Sequence, residues 1–148
     1  MQGLAKAVTE PRRGLLALFV AFLVGGSAYY ALEILWRGHS HVTMWFCGAI
    51  CLSGILLIEC AYSRMPLYKR ALFSALFITA VEFVFGCVFN LWLRLDVWDY
   101  SEVPFNLLGQ ICLPYSVMWY FLAFPAALVC KLILFAVGYH RVPRVSDP

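Results

Sequence analysis

Glu82, Asn90 and Glu33 are the first candidates for chemistry in this sequence, because they interrupt long apolar stretches. Glu82 and Asn90 lie in one such stretch, four residues on either side of Gly86, and Glu33 lies near the end of another. A charged side chain at the centre of a membrane helix costs about 2.5 to 3.5 kcal/mol even on lenient insertion scales. Groups so unfavourable in lipid are candidates for binding a cation, a proton or a small cationic solute.

The spacing of these groups brings them onto common helix faces. In a helix, Glu82, Gly86 and Asn90 share one face, and the missing side chain at position 86 lets another group approach. Glu33 and Arg37 are also four residues apart, in the favourable order for an ion pair within a helix. Counting about 1.5 Å per residue places Glu82 at the membrane centre and Glu33 and Asn90 in one layer about 12 Å away. We therefore predict a polar stripe from the centre to one surface, with helix–helix contact as the alternative role.

A polar, turn-rich segment follows this stripe at residues 96–113. Pro104, Gly109 and Pro114 prevent it from forming one continuous helix. Non-helical backbone is stable near lipid only where protein buries it or water reaches it, so the segment is predicted to lie at the mouth of the site or to dip into it. The predicted ligand-binding residues come from the stripe and from this segment: Glu33, Arg37, Glu82, Asn90, Asp99, Tyr100, Asn106 and Gln110.

A second pair of charges is predicted in the opposite half of the membrane. The same counting places Glu59 about 9 Å and Lys131 about 8 Å from the centre, on the same side. Their opposite charges predict a structural ion pair. The alternative is that each side chain extends separately to the nearer interface.

The composition places all of these residues in a bilayer. The chain is 64% hydrophobic and only 13% charged, whereas soluble domains are about 25% charged. A membrane span needs about 20 mostly apolar residues. Four runs meet this requirement, at residues 14–36, 42–63, 71–93 and 114–139. We predict an all-α fold, a four-transmembrane-helix bundle that forms a single integral membrane domain over residues 1–148, with residues 96–113 interfacial or re-entrant.

The positive charges predict how this bundle is oriented. Basic residues cluster before the first run, between the second and third, and after the fourth: Lys6, Arg12, Arg13, Arg64, Lys69, Arg70, Arg141 and Arg144. The other two loops contain only Arg37 and Arg94. We therefore predict a multi-pass protein of the cell membrane with both termini in the cytoplasm. A cleaved signal peptide is the alternative for the first run, but that run exceeds the usual apolar length of about 7 to 15 residues.

Cysteines and histidines do not predict a metal centre or any cofactor. The six cysteines lie within or beside the apolar runs without a C-x-x-C motif, and they are interpreted as small core side chains. Cys47 and Cys51 share a helix face, but two thiols alone make a poor site for a metal. For His39 and His41 a solvated interfacial role is favoured, and metal binding is left open.

Several motifs resemble one family of membrane proteins. They are E-I-L-W-R-G from Glu33, E-F-x-x-G from Glu82, N-L-W-L from Asn90, and W-D-Y-S-x-x-P-x-N-x-x-G-x-I-C from Trp98. These motifs resemble the CmpB-like family of ABC-transporter type IV permeases over about residues 28–125, and more distantly the animal transmembrane protein 229 group. The resemblance implies a membrane protein with a role in transport.

The function predicted from these features is a transport-type or channel-type component that binds a cation, a proton or a small cationic solute through the polar stripe. The sequence has no G-x-x-x-x-G-K-[ST] loop, so an ATP-driven role would need a separate ATPase. Four spans are too few to enclose a wide path, so transport would need a homo-oligomer or other membrane subunits. Besides the lipid bilayer and such subunits, no partner is predicted, and no nucleic acid.

Two other classes of function remain open at this point. The first is a membrane-embedded enzyme acting on a lipid or amphipathic substrate at the mouth, with Glu33 or Asp99 as general base and Arg37 or Arg94 holding an anionic group. No nucleophile with an adjacent base is recognisable. The second is an accessory subunit of a membrane complex, in which the polar groups serve assembly alone.

Overall fold

The computed structural model describes the backbone of residues 2–139 and the side chains of residues 11–139. It contains four long helices, α1 (Gln2–Arg37), α2 (Val42–Ala61), α3 (Leu67–Phe85) and α4 (Leu113–Ala136). Each helix includes a stretch that is long and apolar enough to cross a membrane. The prediction of an all-α bundle of four membrane helices is therefore confirmed. The side chains of Lys6, Arg141 and Arg144, which enter the orientation argument, lie outside the described part.

Helix α2 lies at the centre of the bundle and contacts the three other helices. Its contact with α1 is close, because Gly25 and Gly48 face each other. A Cβ atom at position 25 would lie 2.6 Å from the carbonyl oxygen of Gly48, and one at position 48 would lie 2.8 Å from that of Gly25. Small residues at such points let two helix backbones approach in lipid, where packing rather than apolar burial drives association.

Helix α3 changes its geometry before it ends. Residues Gly86–Trp92 continue it as a π-helix, whose wider turns are frequent at functional sites. An irregular stretch then leads to a short antiparallel pair, β1 (Asn106–Leu107) and β2 (Ile111–Cys112). The residues from Leu93 to Cys112 are called the cap segment below, and the end of the bundle that they occupy is called the cap end.

The β1–β2 connection is a tight turn with unusual backbone angles. Leu108 and Gly109 both have positive φ, at 54° and 68°, and the N–H of Gln110 donates to the carbonyl of Leu107 at 3.0 Å. Positive φ at both central residues is the geometry of the mirror-image turns that join paired strands. Glycine adopts this conformation without strain, whereas leucine does so only because the surrounding contacts hold it there.

The predicted ion pair between Glu59 and Lys131 is wrong. Glu59 pairs with Arg70 instead, whose Nη1 lies 3.0 Å from Glu59 Oε2, and the two side chains are 3% and 9% exposed. The reason is that α3 begins at Leu67 rather than at residue 71, so Arg70 lies in its first turn and faces α2. Lys131 lies on an exposed face of α4.

Removing one member of the Glu59–Arg70 pair should destabilise the protein strongly, because the other charge would stay buried without its partner. We expect Glu59→Gln or Arg70→Met alone to lower the free energy of unfolding by about 3 kcal/mol, and the double variant to lose less than the sum. The matched control is Lys131→Met, which removes an exposed charge and should change stability by less than about 0.5 kcal/mol. Denaturant unfolding in detergent micelles measures the free energy of unfolding of the native protein and of the four variants. Additive losses in the double variant would contradict the pair.

Candidate functional site

The cap segment is attached to the bundle by the side chain of Asn90. This amide is buried in the π-helix, with 6% of the residue exposed. Its Nδ2 donates to the carbonyl of Trp98 and to Oε1 of Gln110, both at 2.9 Å, and its Oδ1 accepts from the N–H of Val97 at 2.8 Å. An amide offers two donors and an acceptor, so one side chain binds three points of the segment.

Trp98 and Gln110 complete this network. The indole Nε1 of Trp98 donates to the carbonyl of Gln110 at 2.9 Å, and Nε2 of Gln110 donates to the carbonyl of Leu108 at 2.9 Å. The side chain of Gln110 packs directly onto Gly86, where a Cβ atom would lie 2.6 Å from its Oε1. Gly86 and Asn90, two members of the predicted stripe, therefore seat the cap segment on α3.

The side chains of Asp99 and Asn106 make hydrogen bonds within the cap segment. Oδ1 of Asp99 accepts from the backbone N–H of Ser101 at 2.8 Å and from the Ser101 hydroxyl. These two donors, the hydroxyl first, hold the pKa of the exposed Asp99 carboxyl below its usual range. Nδ2 of Asn106 donates to the carbonyls of Val103 at 2.8 Å and Ser101 at 3.1 Å. Both side chains therefore stabilise the fold of the loop.

Tyr100 links the cap segment to the interior of the bundle. Its N–H donates to the carbonyl of Gly109 at 2.7 Å, and its ring stacks on Tyr115 of α4 with the ring centres 4.7 Å apart. Burial raises the pKa of the Tyr100 hydroxyl, and the nearby carboxylate of Glu82 adds to the shift. Through this stack Tyr100 joins the cap segment to α4.

The end of α1 makes a second attachment to the cap segment. Nη1 of Arg37 lies 3.1 Å from Oε1 of Glu33, and its Nη2 donates to the carbonyl of Val97 at 2.7 Å. The Ser40 hydroxyl donates to Oε2 of Glu33 at 2.7 Å. The Glu33–Arg37 pair forms as the spacing predicted, and the structure shows that it holds the segment through Val97.

The side chain of Glu82 lies among the four helices rather than in the network that holds the cap segment. It is 2% exposed, and its Oε2 accepts a hydrogen bond from the indole Nε1 of Trp119 at 2.7 Å. It faces a cavity of about 250 Å³ between the four helices. The walls contain residues of every helix, among them Gly25, Tyr29, Cys47, Cys51, Leu52, Ile78, Trp119, Leu122, Pro125 and Val129. Glu82 is the one carboxylate among the described lining residues.

The predicted stripe is thus divided into parts with different roles. Glu82 faces the cavity, Asn90 and Gln110 form a buried network with the cap segment, and Glu33 with Arg37 forms an ion pair at the end of α1. Tyr29 joins the parts, because it lines the cavity and also packs against the cluster of Met44, Val97 and Trp98.

Sequence reasoning missed Tyr29 and Trp119 as residues of the cavity. The centres of the two rings lie 6.1 Å apart, and Trp119 is 8% exposed. One signal for Trp119 was available: a tryptophan in the middle of an apolar run needs a partner for its indole N–H when it is buried. Glu82 on another span was a natural acceptor.

The family model described as "Putative ABC-transporter type IV" matches residues 9–144 of the chain. The chain belongs to this family. The family predicted from the motifs is therefore confirmed, and together with the four apolar helices it indicates a multi-pass membrane component of transport type. The chain has no significant match among proteins of curated function or among solved structures.

His39 and His41 make local contacts. Nδ1 of His41 accepts from the N–H of Thr43 at 3.3 Å and so caps the start of α2, while Nδ1 of His39 lies 3.0 Å from the carbonyl of Arg37. In the described part of the chain, no three or more His, Cys, Asp and Glu side chains are grouped so that they could hold a metal ion together.

Replacing Asn90 should loosen the cap segment. In Asn90→Leu the volume is nearly kept, but the N–H of Val97 and the carbonyl of Trp98 lose a buried partner, at about 1 to 3 kcal/mol each. We expect amide hydrogen exchange in residues 95–112 to become at least tenfold faster, measured by mass spectrometry in lipid nanodiscs. The control is Asp96→Asn, an exposed change in the same segment. Unchanged exchange in Asn90→Leu would mean that the network does not hold the segment.

Proposed function

We propose that this chain is a membrane-embedded transport component whose central cavity binds a small monovalent cation, with Glu82 as the opposing charge. One observation carries the proposal: a carboxylate almost fully removed from solvent faces a cavity within the membrane-spanning helices. A carboxylate that served only helix association would be expected to contact a neighbouring helix without an adjoining cavity. A binding site needs space beside the charge, and Glu82 has it.

The contact with Trp119 supports binding rather than packing alone. The indole N–H fixes Oε2 of Glu82, so the carboxylate has a defined orientation in the cavity. The rings of Trp119 and Tyr29 lie on the walls, and aromatic faces attract cations by about 0.5 to 2 kcal/mol. A carboxylate beside two aromatic rings is a combination suited to ammonium-type or guanidinium-type cations.

The size of the cavity limits what it holds. Ligand pockets for drug-sized molecules measure about 300 to 1,000 Å³, and this cavity measures about 250 Å³. The remaining walls are mostly apolar, so a hydrated inorganic ion would lose its water without replacement ligands. We therefore propose a compact cation that is partly apolar itself.

The other predicted site residues have positioning roles in this proposal. Asn90, Gln110, Asp99 and Asn106 keep the cap segment folded, and Arg37 ties it to α1. Glu33 orients Arg37, and Tyr100 joins the cap segment to Tyr115 of α4. The cap segment would then control access to the cavity from the cap end.

These contacts give less support to a lipid-modifying enzyme at the mouth. Arg37 already donates to Glu33 and Val97, so its guanidinium is not directed at an anionic group. The Asp99 carboxylate accepts from Ser101, and its lowered pKa makes it a weak general base.

The orientation and the assembly are part of the same proposal. The clusters of basic residues support termini in the cytoplasm and a cap end on the outer face of the cell membrane. A single chain of four helices encloses only a small cavity, so we propose that it works as a homo-oligomer or with other membrane subunits. An ATP-driven role would rely on a separate ATPase, since the sequence has no phosphate-binding loop.

Glu82→Gln tests the proposal directly. Glutamine keeps the size and can still accept from Trp119, but it removes the charge. With benzyltrimethylammonium as the probe, we expect at least tenfold weaker binding to Glu82→Gln than to the native protein, measured by titration calorimetry on the full chain in nanodiscs. A tenfold loss corresponds to about 1.4 kcal/mol. The thermal stability of the variant should stay close to that of the native protein.

The matched control is Glu102→Gln, which removes an exposed carboxylate of the cap segment. It should leave binding unchanged. Equal affinity in Glu82→Gln and native protein, or a native protein that binds neither this probe nor guanidinium, would overturn the proposal.

A further inference from the structure

Two thiols lie on the cavity wall that α2 contributes. Cys47 and Cys51 are four residues apart on α2, so they lie on one face of the helix, and both line the cavity. Glu82 lines the same cavity. A neighbouring thiol pair that adjoins space is a different arrangement from a cysteine packed into the core.

Cys130 provides the comparison. It is completely buried, its thiol lies 3.9 Å from the carbonyl of Leu52, and it does not appear among the residues that line the cavity. Such a cysteine fills space as a small apolar side chain. Cys47 and Cys51 instead both border the cavity, where a bound ion would have room.

We propose that Cys47 and Cys51 bind one soft monovalent metal ion, Cu(I) or Ag(I), between their two sulfur atoms. The number of ligands selects the metal. No grouping of three or more metal-binding side chains is present in the described part of the chain, so the four ligands of a structural zinc site are not supplied. Calcium and magnesium require six or more oxygen ligands. Two thiols alone are a poor site for metals that need three or more ligands, but monovalent ions of the copper group are soft and accept two thiolates alone.

The surroundings suit such an ion. The thiols bind as thiolates, so each releases its proton on binding, and the positive ion neutralises one of the two negative charges. Leu52 and Ile55 make the adjacent wall apolar, so it offers no ligands to hard ions that keep a hydration shell. This site goes beyond the proposed function, because it needs the thiol pair and the cavity but not the charge of Glu82.

Silver binding tests the site on the purified full chain in nanodiscs. We expect the native protein to hold one tightly bound Ag(I) that survives competition by a thioether chelator, counted by native mass spectrometry. Cys47→Ser and Cys51→Ser should each weaken that ion at least a hundredfold. The matched control is Cys87→Ser, whose cysteine lies on the π-helix and is not among the cavity residues. It should keep the tightly bound ion.

A second measurement tests the site on the native protein, so that the result does not depend on whether the variants fold. X-ray absorption at the copper edge, with one Cu(I) added per chain, should report two sulfur neighbours. Absence of a tight ion, its retention in both Cys47→Ser and Cys51→Ser, or a copper environment with oxygen or nitrogen ligands would overturn the site. If the native protein binds silver but not benzyltrimethylammonium or guanidinium, the proposed function alone is overturned. The two failures are therefore distinguishable.

Discussion

The amide of Asn90 satisfies its hydrogen bonds within the protein, because the hydrocarbon of a bilayer offers no partners. Its three bonds go to the neighbouring residues Val97 and Trp98 and to Gln110, which lies twelve residues further along the cap segment. An unpaired polar group in such surroundings costs several kcal/mol, so the segment folds where these bonds can form. The π-helical turn at Gly86–Trp92 and the bare surface of Gly86 make room for this arrangement.

The cap segment covers one end of the bundle. Once Trp98 is buried against Met44 and Tyr29, the cap end of the bundle is covered, and Glu82 lies beneath it among the four helices. At the other end, the buried Glu59–Arg70 pair joins α2 to α3. The carboxylate that is most unfavourable in lipid is therefore enclosed by protein at both ends, while the long outer faces of the helices remain apolar for contact with lipid.

The sequence predicted the helices well and the contacts between them less well. Apolar length alone located four spans, because a bilayer requires about 20 apolar residues for each helix. The helix-face rule also gave the Glu33–Arg37 pair. The pairing of Glu59 failed because counting residues gives depth but not which face of a helix points inward, and because α3 starts four residues early.

The roles of the aromatic residues and of the cap segment needed the structure. Trp92 and Trp98 both look like interfacial anchors in the sequence, yet Trp92 is 77% exposed and Trp98 only 6%. That difference comes from the network of Asn90 and Gln110, which joins residues 20 positions apart and has no local signature. The family motif around Trp98 marked the segment as important, but only the hydrogen bonds assign Asp99 and Asn106 to the loop itself and Glu82 to the cavity.

Reaction with dicyclohexylcarbodiimide, an apolar reagent for protonated carboxyl groups in membranes, tests most directly whether Glu82 faces a cavity within the bilayer. The modified residues are located by mass spectrometry on protein labelled in lipid. Our account predicts that Glu82 carries the adduct, while Glu59 is protected by its ion pair with Arg70. Labelling of Glu59 with no adduct on Glu82 would contradict it.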